Sequence, residues 1–437
     1  MSARRRPAWA GGALALVMVA ASALTSCSLG ASREVVHVLG PWTGAEADDF
    51  RAVVAPFERA NGITVDYQGS QESDSVLADR VGDGTPPDLA VFSGPGKLAK
   101  YARAGRLVGL DTLAQPAGAP AGEAREDGYD AGWSKLGAVD GTDYAVVVKA
   151  SLKSLVWYSP RSLADKDWKP PQRWDGMVAL NREVAAAGTA PWCVGLEAGS
   201  ASGWPGTDWL EDIVLTQSGL EVYDHWTAGE IAWSSPRIRL AWQTWSELTA
   251  SGGALRGGRG GALNTGFGDN GGSLLAHNPQ CHFEHGGSFV SGFYRQYRPE
   301  PKAGEDFDFV RFPAVDPAYD GDVEVGGDLL AMFHDSPGAR KLIGYLTSAD
   351  AQAIWVSRGG ALSPNREVPM AAYPDDLSRR LARTLLDARA VRFDASDQMP
   401  EQLQSAFYRA VLAFVDDPSR LDALLADLDR VQATVHG

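Results

Sequence analysis

The chain has 437 residues, few cysteines and histidines, and no surplus of basic charge. Its three cysteines are Cys27, Cys193 and Cys281, and it has seven histidines. A closed zinc site needs four ligands in fixed geometry. Only Cys281-His282-Phe283-Glu284-His285 brings such residue types together, and no second Cys/His pair lies nearby in sequence, so no metal is expected. Lys and Arg number 40 against 55 Asp and Glu, a formal net charge of −15. That balance argues against nucleic acid or anionic lipid as a partner, because both select a basic surface. There is no Walker phosphate loop and no G-x-S-x-G elbow. Gly266-Phe267-Gly268-Asp269-Asn270-Gly271 fits G-x-G-x-x-G by letter, but it follows glycine-rich sequence rather than a strand and reads as a loop at a ligand cleft. Asp316, Asp320, Asp322 and Glu324 lack calcium-loop spacing and read as a solvated acidic turn. No cofactor is expected.

Long apolar runs are scarce too. The one present, Trp9 to Leu24, follows Arg4, Arg5 and Arg6 and is too short for a stable membrane span. It ends in Leu24-Thr25-Ser26-Cys27, which resembles a bacterial lipobox. The reading is a lipoprotein signal peptide over 1–26 and a tether over 27–33 that is lipidated on Cys27. Pro7-Ala8-Trp9 fits twin-arginine export poorly. Removing the three leader arginines takes the charge from −15 to −18. Any membrane attachment then comes from acyl chains, worth roughly 0.8 kcal/mol per buried CH₂, with more than one chain needed. With Cys27 assigned to lipid, Cys193 and Cys281 are an even pair in an exported protein, and an oxidising compartment favours a disulfide between them. The loop entropy of their separation corresponds to roughly 4–5 kcal/mol.

The organisation reads as α/β. Val35 to Leu39, Ile63 to Tyr67 and Leu89 to Phe92 are strands. A helix with Phe50, Val54 and Phe57 on one face, and another over Ser73 to Val81, separate them. This β-α-β-α-β order predicts a mostly parallel sheet whose ligands sit beyond the strand carboxyl ends. Tyr144 to Val148 and Leu155 to Tyr158 read as strands carrying the chain between two lobes, and Leu403 to Val431 as a helical tail.

Tryptophan is the positive signal, with 14 in the chain. Trp242 and Trp245, at helical spacing, read as core. Trp42, Trp192 and Trp204 stand beside Gly and Pro in apparent loops. An indole covers the apolar face of a sugar ring while carboxylates and amides take its hydroxyls. Glu46, Glu197 and Asp208 lie close to these tryptophans in sequence, and Asp269 and Asn270 in the glycine-rich stretch supply further polar groups.

These features, with Asn61-Gly62-Ile63-Thr64-Val65, Gly84-Thr85-Pro86-Pro87-Asp88-Leu89, Val156-Trp157-Tyr158-Ser159, Gly326-Gly327-Asp328 and Ala349-Asp350-Ala351-Gln352, resemble the extracellular solute-binding proteins of carbohydrate ABC transporters, the group containing maltose-binding protein. Pro191-Trp192-Cys193, Gly203-Trp204-Pro205-Gly206-Thr207-Asp208, Cys281-His282, Gly287-Ser288-Phe289 and Phe393-Asp394-Ala395-Ser396-Asp397-Gln398-Met399-Pro400 look like the alpha-glucoside-binding branch, although His285-Gly286-Gly287 departs from it. The resemblance implies a two-lobed, maltose-binding-like fold, each lobe a mostly parallel sheet flanked by helices. One lobe would span 34–145 plus about 308–350, the other about 146–307 plus 351–437. It implies a monomer that is not an enzyme. This receptor would be anchored to the outer face of the cytoplasmic membrane and deliver a sugar to permease subunits served by a separate cytoplasmic ATPase. Candidate sugar contacts are Trp42, Glu46, Ser93, Trp192, Trp204, Asp208, Asp269, Ser288, Gly327 and Asp328. An anchored extracellular glycosidase and a non-transport lipoprotein binding module are the competing classes.

Overall fold

β1 (Val35–Gly40), α1 (Gly44–Asn61), β2 (Thr64–Gly69), α2 (Ser73–Gly82) and β3 (Leu89–Phe92) follow one another as the periodicity predicts. The computed structural model describes residues 33–110, 128–129, 131–359 and 361–436; Cys27 and the lipobox lie outside them. The chain from Glu34 onward forms one compact unit. α1 turns Phe50, Val54 and Phe57 inward, each at most 2% exposed. β1 pairs in parallel with β2 and β3.

Seven further strands complete two sheets: β4 (Ala145–Leu152), β5 (Leu155–Tyr158), β6 (Ala190–Trp192), β7 (Cys281–His285), β8 (Asp308–Arg311), β9 (Asp322–Met332) and β10 (Ala390–Phe393). The first sheet has the order β10-β9-β3-β1-β2, with β4 also on β9; the second has the order β8-β5-β7-β6. The sheets are less parallel than the opening pattern suggests. β9 runs antiparallel to β3 and β4, and β5 antiparallel to β7 and β8. Parallel pairing occurs where a helix-bearing connection joins the strands, as in β1–β2, β6–β7 and β9–β10. β8, expected with the first lobe, pairs in the second sheet. The helix Pro337–Leu346 stays with β1 as expected, while the following helix Ala349–Ser357 and β10, expected with the second lobe from residue 351 on, lie with the first sheet.

The second sheet is covered by α3 (Trp204–Thr227), α4 (Pro236–Thr249), α8 (Glu401–Asp416) and α9 (Leu421–His436), counting Pro337–Leu346 and Ala349–Ser357 as α5 and α6 and the short Ala395–Gln398 as α7. Their core is built on tryptophan. Trp209, Trp226, Trp233, Trp242 and Trp245 are each at most 2% exposed, and Trp242 meets Phe414 edge-on at 5.1 Å. α3 kinks at Gly219, whose φ of 82° and close approach to the Tyr319 ring both require glycine.

Cys193 and Cys281 are bonded, with Cα atoms 5.3 Å apart. The bond joins the residue after β6 to the first residue of β7, beside a backbone hydrogen bond of 2.8 Å from Cys193 N–H to the Phe283 carbonyl. β7 is wholly buried, so each of its polar side chains needs a partner. Glu284 accepts hydrogen bonds from Asn270 Nδ2 (3.0 Å) and Tyr294 Oη (2.9 Å). His285 Nε2 lies 2.8 Å from Asp212. The His282 ring meets Trp168 at 5.1 Å, and burial lowers its pKa to about 4. The metal-like run is thus spent on core contacts.

Two outcomes follow. Alkylation of the native, unreduced chain with intact-mass readout labels neither Cys193 nor Cys281. Burial pushes the Glu284 carboxyl from 4.5 to about 7, against the opposing hydrogen bonds from Asn270 and Tyr294. The folded chain therefore keeps a proton in that interval that the unfolded chain has lost. This contribution to stability is full below about pH 4.5 and is lost as pH rises through about 7, amounting to roughly 3 kcal/mol. Thermal midpoints from pH 5 to 8 therefore fall less steeply for Glu284→Gln than for the parent chain.

Candidate functional site

The chain passes between the sheets at Lys153-Ser154, which link β4 to β5. Three hydrogen bonds tie this crossing together: Lys153 N–H to the Glu324 carbonyl (2.9 Å), Phe312 N–H to the Ser154 carbonyl (2.9 Å) and Glu324 N–H to Ser154 Oγ (2.7 Å). A cavity of about 210 Å³ lies beside it, lined from both lobes.

One wall comes from the first sheet. Trp42 follows β1 and is held by Phe50 (5.1 Å) and Trp355 (5.0 Å), and it is 2% exposed on the cavity lining. Its Nε1 donates to Asp328 Oδ2 at 2.9 Å. Glu46, in the first turn of α1, accepts from Lys149 Nζ at 2.5 Å, and that ammonium lies 3.9 Å from Asp328. Lys149 and Asp328 leave β4 and β9, which pair beside the bulge at Asp328. Burial works against the Lys149 charge, but Glu46 and Asp328 outweigh it and raise its pKa.

The facing wall is aromatic. Gly203 has φ 110°, and a Cβ there would lie 2.4 Å from the Tyr408 carbonyl oxygen, so only glycine makes the turn that presents Trp204 as the first residue of α3. The half-buried Trp204 ring packs against Phe267 (5.2 Å) and Phe289 (6.0 Å), and Phe293 continues the wall. Between the walls lie Lys153, Asp394 and Asp397. Lys153 Nζ is 2.8 Å from Asp208, 2.9 Å from Asp394 and 4.9 Å from the Trp204 ring centre. At one rim, Lys97 pairs with Asp74. Two contacts cross the cleft at its edges: Ser200 N–H donates to Glu72 (3.2 Å), and Arg295 lies 3.8 Å from Asp49.

Every lysine on the cavity lining is therefore paired with a carboxylate. Oxygens of Asp208, Glu324 and Asp394 lie within 4.8 Å of one another. The set has metal-ligand chemistry, but the Lys153 ammonium already sits on two of its members. Burial lowers the Lys153 pKa less than Asp208, Asp394 and Glu324 raise it, leaving it well above the usual range. Glu324, fully buried with neither oxygen hydrogen-bonded, is pushed well up by burial and then by Glu211 and Asp208.

Of the residues expected at a sugar site, Trp42, Glu46, Ser93, Trp204, Gly327 and Asp328 line this one cavity. Trp192, Asp208, Asp269 and Ser288 do not line it. Trp192 is fully buried against Trp209 (4.6 Å) in the second core. Asp208 stands behind Lys153. The exposed Asp269 accepts from Tyr297 Oη at 2.5 Å. Ser288 Oγ accepts from Leu152 N–H at 3.2 Å, at the end of β4. Asp322 and Glu324 are not a solvated turn: both are buried on β9. Sequence reasoning missed Lys149 and Lys153 altogether, although two lysines in the apolar run Ala145 to Tyr158 are a signal, since a buried ammonium needs a partner. It missed Phe267, Phe289 and Phe293 as a wall, which no local pattern announces.

Comparison with known proteins agrees with this geometry. Residues 43–251 match the model of the family "Bacterial extracellular solute-binding protein". The osmoprotective compounds-binding protein GgtB of Synechocystis is 38% identical over 368 residues, which is 84% of this chain and 85% of that one. The alpha-glucosides-binding periplasmic protein AglE of Rhizobium meliloti is 32% identical over 400 residues, 89% of this chain and 85% of that one. Among solved structures, the bacterial solute receptor AcbH superposes with a TM-score of 0.77 at 18% identity, covering 92% of this chain and all of that one. A two-lobed α/β receptor with a cavity at the lobe crossing, and these relatives across most of its length, make the chain a member of the bacterial extracellular solute-binding proteins, the non-enzymatic receptors of ABC transporters.

Proposed function

We propose that the receptor captures a neutral polyhydroxy solute, an alpha-glucoside or a small glucosidic osmoprotectant, and delivers it to the permease subunits of an importer whose ATPase is a separate chain. One observation carries this reading: the cavity sets a half-buried indole, Trp204, opposite hydrogen-bonding carboxylates, Glu46 and Asp328, which share the Lys149 ammonium. An anionic solute would meet a paired counter-ion at every lysine on the lining and would have to displace it at the cost of buried charge. A sugar has no charge to satisfy; it offers an apolar C–H face to the indole and hydroxyls to the carboxylates. The name of AglE supports an alpha-glucoside, and that of GgtB an osmoprotective compound. A cavity of about 210 Å³ suits a short glucoside better than a long oligosaccharide.

In this reading one lobe is built on the six-stranded sheet and the other on the four-stranded sheet, and ligand contacts to both favour the closed form. Lipid on Cys27 would keep the receptor, a monomer, at the outer face of the cytoplasmic membrane. Radiolabelled fatty acid incorporated by the parent chain and not by Cys27→Ala tests that anchoring.

Calorimetric titration tests the ligand. Maltose, trehalose or a glucoside with a short polyol aglycone binds with one-to-one stoichiometry, whereas a betaine or amino acid does not. Trp204→Ala weakens the glucoside about tenfold or more, equivalent to about 1.4 kcal/mol. Tight binding of a charged solute, with no response to sugars, overturns the reading.

A further inference from the structure

We propose that Lys153 is a positioning residue for the ligand: its ammonium, clasped by carboxylates at the lobe crossing, fixes the cavity-facing indole of Trp204 and so sets how tightly the closed cleft binds. Lys153 belongs to neither sheet, since it lies in the two-residue link between β4 and β5. Its side chain nevertheless ends between them. Asp394, at 2.9 Å, directly follows β10 of the first sheet. Asp208, at 2.8 Å, stands on α3 of the second lobe. Asp208 is four residues after Trp204, so carboxylate and indole share one face of the helix. Lys153 Nζ sits 4.9 Å from the indole centre, within cation–π reach.

The surroundings are built to keep it there. A Cβ on Gly326 of β9 would lie 2.9 Å from Lys153 Cε, so the glycine makes room for the stem. Lys153 is 6% exposed, and its two partners are at most 2% exposed. Removing the ammonium from either carboxylate would leave buried charge uncompensated, a cost of several kcal/mol. Trp204 also contacts Phe267 and Phe289, but those rings are themselves only half-buried. The ion pair is thus the rigid element behind the indole. Any opening motion that separates α3 from the end of β10 pulls on this clasp, while a ligand stacked on Trp204 holds it closed. The inference rests on the cavity being the solute site, so its test needs one readout without solute.

That readout is ¹⁹F NMR of protein labelled with 5-fluorotryptophan, with the Trp204 resonance assigned by its loss in Trp204→Phe. Lys153→Met shifts that resonance, and Lys153→Arg returns it towards the parent position. Gly326→Ala, which leaves every charge in place and crowds the end of the lysine and Ser151 Oγ, shifts it as well and serves if Lys153→Met does not fold. In calorimetry with the glucoside, Lys153→Met and Trp204→Ala each weaken binding about tenfold or more, and the double variant is within about twofold of the weaker single one. A Trp204 resonance unmoved in the folded Lys153 and Gly326 variants, or losses that multiply, would overturn the proposal. If the parent chain binds no glucoside, the functional reading falls, and the resonance alone decides the role of Lys153.

Discussion

The ammonium of Lys153 between Asp208 and Asp394 is the constraint on which the rest of this structure depends. Three charged groups from the lobe link, from α3 and from the end of β10 meet nearly fully buried at the cavity wall. Their attraction must exceed a large desolvation cost, and it does so only while the geometry is kept. The crossing strands, the start of α3 and the base of the cavity are therefore registered on one another. Glu324 adds a further carboxyl beside the group, and burial beside its acidic neighbours favours its protonated form. That leaves Asp394 as an ionised partner: burial raises its pKa, but Lys153 and the Asp397 backbone N–H that donates to its carboxylate outweigh that and lower it.

The same logic extends across the cavity. Lys149 stands to Glu46 and Asp328 as Lys153 stands to its own pair. Charges set in this way give strong, oriented hydrogen-bond acceptors. Opposite them the aromatic side chains supply apolar surface. A solute that is polar at its rim and apolar on its face satisfies both walls at once. Glu72–Ser200 and Asp49–Arg295 join the two walls at the edges of the cleft.

Much of the fold was legible in the sequence because periodicity reports burial. β1 through β3 with their helices follow the apolar spacing of Phe50, Val54 and Phe57, and Trp242 and Trp245 are core as their helical spacing implies. The disulfide was legible because only two cysteines remained once Cys27 was set aside. The cavity was legible in part. Trp42, Glu46, Ser93 and Trp204 were found because strand carboxyl ends and loop tryptophans are local features. Trp192 looked the same in sequence, but β6 runs in parallel beside β7 and turns its indole onto Trp209. Lys149, Lys153 and Glu324 were missed for one reason: a charge inside a strand is tolerable only if a partner arrives from elsewhere in the chain. Asp394 lies 241 residues from Lys153, a separation that no window along the sequence can bridge.

The central claim is that a neutral glucoside binds between the Trp204 wall and the Glu46–Asp328 wall. A crystal structure of the receptor grown with an alpha-glucoside addresses it directly. The account predicts a sugar ring stacked on the Trp204 indole, with its hydroxyls hydrogen-bonded to Glu46 or Asp328. A sugar bound outside this cavity, or one bound within it with no contact to Trp204, would contradict the account.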